Sequence, residues 1–91
     1  VAKFSVGDRV SIHNSFEWGT GGSGIIQYPP SLVTERTGEW VDGVARFEQG
    51  PHGFHLVFWV EFDRPLHDLT EDGPYLAGSV EEEALRLIPN Q

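Results

Sequence analysis

The sequence predicts an all-β fold: one small barrel of about five strands, with a single helical turn before the last strand. Three observations carry this expectation. Eleven Gly and six Pro interrupt the 91 residues every few positions, which suits short strands and tight turns better than long helices. Phe54, Leu56, Phe58, Val60 and Phe62 recur at period two, the alternation of a strand with one face in a core. Three Trp, two Tyr and six Phe supply the volume for a small interior. A chain of this length hides only about 60–65% of the surface its unfolded form exposes, so a single domain over 1–91 is expected.

The elements follow in order. Phe4, Val6, Val10 and Ile12 share one parity in the first strand, with Gly7-Asp8 as a turn or bulge between them. Asn14 to Gly24 reads as a loop, because Gly19, Gly21, Gly22 and Gly24 call for positive φ or close backbone approach. Gly24 to Tyr28 is a short strand stopped by Pro29-Pro30, which lack ladder donors. Ser31 to Glu39 is a second loop, and Trp40 to Glu48 a third strand with imperfect alternation. Gln49-Gly50-Pro51-His52-Gly53 then turns the chain into a hairpin with Phe54 to Asp63. Pro65 to Gly78 reads as a long acidic loop. Ser79-Val80-Glu81-Glu82 fits a capping box opening one helical turn. Leu85 to Ile88 closes the fold, stopped by Pro89.

Fourteen acidic residues against six basic ones give a formal charge of −8. Phosphate binding relies on clustered Lys and Arg, so nucleic acid is an unexpected partner. An anionic membrane surface is disfavoured for the same reason. No apolar run approaches the roughly 18–20 residues of a membrane helix, and no secretory signal is visible, so a cytoplasmic location is the expectation. The chain does not open on Met, which suggests a processed start. It has no Cys, which removes disulfides and thiolate metal sites.

Candidate chemistry is sparse. Asp68-Leu69-Thr70-Glu71-Asp72-Gly73 partly matches a calcium loop, but Ser79 stands where the bidentate Glu would close it, so a solvated turn is expected. His52, His55 and His67 lack the geometry of a zinc set, since strand positions three apart face opposite sides. Gly19 to Gly24 lacks the Lys and helix of a phosphate loop. There is no Gly-x-Ser-x-Gly elbow. No catalytic residues, metal or cofactor are therefore assigned. Trp59 lies opposite the apolar stripe beside Val57 and Glu61, and with Trp18, Trp40 and Tyr28 it forms the aromatic set from which a binding surface would be drawn.

Three segments carry a family resemblance: Phe4-Ser5-Val6-Gly7-Asp8-Arg9-Val10, Trp59-Val60-Glu61-Phe62-Asp63 and Glu82-Glu83-Ala84-Leu85-Arg86-Leu87-Ile88. They resemble SH3-like barrels of the electron-transport accessory type. That group includes the C-terminal barrel of the nitrile hydratase β subunit, the variable subunit of ferredoxin:thioredoxin reductase, and the ferredoxin-docking barrels of photosystem I and the NADH dehydrogenase-like complex. The residues lead to the expectation of a non-catalytic protein-binding or accessory module, whose surface combines Trp59, Val57 and Glu61 with Trp18 and Trp40. The alternative that the resemblance implies is a small accessory subunit of a larger metabolic or redox enzyme. A nucleic-acid-binding barrel comes third, against the charge.

Overall fold

The computed structural model describes residues 4–30, 40–41, 44–48 and 54–89, with side chains for 4–30 and 56–89. The described residues form seven strands: β1 (Arg9–Ile12), β2 (Ser23–Ile26), β3 (Trp40–Val41), β4 (Val44–Glu48), β5 (Phe54–Leu66), β6 (Tyr75–Glu81) and β7 (Leu85–Leu87). A 3-10 turn over Glu82–Ala84 joins the last two. The all-β expectation holds, including the single helical turn before the closing strand. The loop Ser31 to Glu39 and the turn Gln49 to Gly53 lie outside the described residues.

β5 organises the rest, because its thirteen residues are long enough to serve three partners. Along one edge β4 pairs with its first part (Glu48↔Phe54 to Val44↔Phe58) and β2 with its second (Ile26↔Val60 to Gly24↔Phe62). Along the other edge runs β6, from Val57↔Glu81 to Leu66↔Tyr75, with an irregularity between Glu61 and Leu66. β1 pairs with β2 and with β7, all antiparallel. Since β6 passes through the 3-10 turn into β7, the route β5–β6–β7–β1–β2–β5 is a closed circuit around one interior.

That interior is what the period-two stripe predicts. Phe58 and Val60 are fully buried and Phe62 nearly so, while Leu56 packs against the same cluster. Phe54 has no described side chain. Val10, Ile12, Ile26, Val80, Ala84 and Leu85 close the core from the other strands. Phe4 caps it, with its ring edge-on to Phe58 at 5.5 Å. Each large apolar side chain so buried contributes roughly 1.5–3 kcal/mol. The Gly7-Asp8 turn between Phe4 and Val10 also forms: Gly7 has φ +97°, Asp8 N–H donates to Ser5 O, and Ser5 N–H donates to the Asp8 carboxylate.

Three expectations are corrected. Trp40 to Glu48 is two strands, β3 and β4, paired with each other. Pro65 to Gly78 is not one loop, because β5 continues through Pro65 to Leu66 and β6 begins at Tyr75, leaving only 67–74 between them. The capping box does not form: Ser79 and Val80 are committed to the ladder opposite Trp59 and Phe58, and Glu81 precedes the turn without a side-chain cap.

Candidate functional site

Trp18 is the centre of the most elaborate local structure, and a serine builds it. Ser15 is buried, and its hydroxyl accepts from the backbone N–H of Glu17 and Trp18. Ser15 and Gly19 also exchange both backbone hydrogen bonds. Gly19 closes the turn at φ +70°, a conformation that favours glycine. Behind it, Asn14 N–H donates to the Thr20 hydroxyl, which donates to the Asn14 side-chain oxygen. This stitching fixes where the Trp18 ring goes.

The ring lies over β6 and the end of β5. Its indole N–H donates to Ser79 O at 2.9 Å, and its faces and edges meet Phe62 (centroids 4.9 Å) and Tyr75 (5.5 Å). Gly78 provides the room, since a Cβ there would fall well inside contact distance of the indole. Trp18 is thus 9% exposed and belongs to the core, which corrects the expectation that it serves on a binding surface.

Large apolar side chains stand exposed on the segments near this anchor. Phe16 is 81% exposed, Leu76 71%, Leu69 63% and Tyr75 36%. The backbone brings their segments together. Leu69 N–H donates to Glu17 O, Phe16 N–H donates to the Glu81 carboxylate, and Tyr75 packs on Trp18. Three carboxylates share the place: Glu17 is raised above its ordinary pKa by burial first, then by the charges of Asp68 and Glu81.

The 67–74 loop is held by its own donors. One Asp68 carboxylate oxygen accepts from Thr70 N–H, the Thr70 hydroxyl and Asp72 N–H. These bonds, with the Thr70 hydroxyl leading, hold Asp68 below the usual carboxylate range. The Tyr75 hydroxyl donates to Asp72, and that bond pushes the phenol up to about 12. Such Asx-turn geometry is the expected alternative to a calcium loop. Among the described residues no group of three or more His, Asp or Glu could hold a metal ion. His52 and the His55 side chain lie outside the described residues.

The expected Trp59 face is different in character. Val57 is 7% exposed and therefore buried, which corrects its expected place on an accessible surface. Trp59 is half-buried, Glu61 is exposed, and the Trp40 side chain is outside the described residues. Tyr28 is well exposed on the stretch after β2. A shallow cleft of about 440 Å³ lies elsewhere, lined by Arg9, Gly21, Gly22, Ser23, Asp63, Arg64 and Leu66. There Arg9 and the Ser23 hydroxyl both donate to one Asp63 oxygen at 2.7 Å, so the cleft's carboxylate is already satisfied.

Sequence reading missed Ser15, Phe16, Leu69 and Leu76. A signal existed for Ser15, whose hydroxyl two and three residues before backbone donors is a recurrent turn former. Comparison with family models, with curated proteins and with solved structures finds no match to this chain.

Proposed function

We propose that this chain is a non-catalytic protein-binding module, and that its binding surface is the exposed apolar set Phe16, Leu69, Tyr75 and Leu76 around Trp18. The observation that carries this is the exposure of large apolar side chains on segments held by hydrogen bonds around Trp18. Scattered exposed hydrophobes are normal on a protein surface, but four on segments tied to one buried Trp favour an interaction site there. An aromatic anchor on a stiff support loses little side-chain entropy on docking. The Trp59–Glu61 face is the weaker candidate, since Val57 is buried beside it.

The SH3-like resemblance supports the same reading, because those barrels act through partners. An accessory subunit of a larger enzyme is a special case, in which the partner is fixed. Affinity capture on the immobilised chain, with the Phe16→Ser/Leu76→Ser variant as control, tests the proposal. A protein retained by the parent and lost on the folded variant supports it, and a constant stoichiometric enzyme among such proteins identifies the accessory role. Equal retention by both chains overturns the surface assignment.

A further inference from the structure

Carboxylates gather around the apolar surface, with His67 beside Asp68. Glu17 is flanked by Asp68 and Glu81, and Asp72 lies on the same loop as Asp68. Among the described residues the Arg9–Asp63 pair is the ion pair formed, so no described Lys or Arg pairs with any of these four carboxylates. Glu17 is exposed beside two like charges, and a bound cation would offset their repulsion.

Resting on the protein-binding reading, we propose that the occupant of this surface is a cationic amphipathic peptide segment of a partner protein. One aromatic or long aliphatic side chain would seat among Phe16, Leu69 and Leu76, with flanking Lys or Arg facing Glu17, Asp68 and Glu81. Two other occupants fit less well. A symmetric contact with a second copy would set each carboxylate cluster against itself, on a chain of net charge −8. An anionic lipid surface would meet the same repulsion. A cationic segment gains from steering as well as contact, because an acidic patch of this kind speeds encounter at low salt.

The test is a selection from a random linear-peptide display library on the immobilised domain, followed by binding of the selected peptides in solution. Enriched peptides should carry net positive charge with at least one Phe, Tyr, Trp or Leu, and their affinity should fall as salt rises. Glu17→Gln and Glu81→Gln should each weaken the cationic peptide about three-fold, and together about ten-fold. Glu83→Gln, a carboxylate in the turn after β6, should leave it unchanged. Enrichment of uncharged or acidic peptides that still depend on Phe16 and Leu76 would overturn the charge inference while preserving the binding surface. Enrichment that is absent, or indifferent to Phe16→Ser/Leu76→Ser, would overturn the surface reading itself.

Discussion

The two aromatic clusters of this molecule differ at their outer ends. Phe4 and Phe58 meet edge to face within the core, and Phe58 is entirely hidden. Trp18, Phe62 and Tyr75 make the same kind of contact, but exposure rises outward from Phe62 at 8% through Trp18 at 9% to Tyr75 at 36%. The first cluster ends in other core residues, and the second ends in Leu76, Leu69 and Phe16, which face water. The comparison separates two uses of apolar surface. Where burial is complete, a side chain stabilises the fold; where a buried ring stiffens an exposed neighbour, the uncovered area is left for a partner.

Breaking the closed cluster should have the largest effect. Phe58→Ala removes a fully buried ring and should cost about 3–5 kcal/mol, enough to unfold much of a domain of ordinary stability. Thermal or urea melts measure this, and a midpoint close to the parent's would show that the interior is not centred on Phe58. Gly78→Ala tests the boundary between the clusters. Its methyl must displace the Trp18 ring, at about 1–3 kcal/mol, and Trp fluorescence should shift to the red as the indole opens to water.

The open end should behave oppositely. Phe16→Ser and Leu76→Ser should change stability by no more than about 0.5 kcal/mol each, a shift of roughly 2–4 °C in Tm, while removing partner binding. A large loss of stability in either variant would mean that these side chains belong to the core.

The smallest effects are electrostatic and sharpen the same contrast. Glu17 has a raised folded pKa, so its contribution to stability falls as pH climbs through 4.5 toward the folded value, and Glu17→Gln should relieve that loss at neutral pH. Asp68 has a lowered one, so its contribution is complete above 3.8 and is lost as pH falls through the folded value. Side-chain carboxyl NMR titration should place the Glu17 midpoint above 4.5 and the Asp68 midpoint below 3.8. A Glu17 midpoint at its ordinary value would separate its carboxylate from the charges of Asp68 and Glu81.

What could be read in the sequence was whatever depended on local alternation. Phe58, Val60 and Phe62 announce their face by parity, and Val10 and Ile12 do so in β1. β6 was hidden because Gly73, Pro74 and Gly78 are turn residues by local rules. Gly78 is a strand residue for a long-range reason, since it makes room for a ring sixty residues earlier in the chain. Pro65 opens the expected acidic loop, yet it is a strand residue. It sits in β5 within the stretch from Glu61 to Leu66 where the ladder with β6 is irregular, the setting in which a strand tolerates proline. Trp18 suffered from the same limit, because a Trp in a glycine-rich segment gives no local sign of what covers it. The exposed set escaped for a further reason. Phe16 lies far in the chain from Leu69 and Leu76, and the Ser15 turn, the Leu69–Glu17 backbone bond and the Phe16–Glu81 bond tie their segments together.

The three-partner strand β5 has a kinetic consequence. Its ladders with β4 and β6 close short spans, from Glu48 to Phe54 and from Leu66 to Tyr75. Its ladder with β2 must draw Ile26 to Val60, and the final seam joins Val10 to Leu87. Closure entropy grows with the logarithm of the span, so the two short ladders zip first and the distant strands add to a platform already formed. Such non-local pairing sets the folding time on the order of milliseconds to seconds. A lesion in the middle of β5 would therefore slow the approach to the native state, whereas one in β7 would act mainly by hastening escape from it.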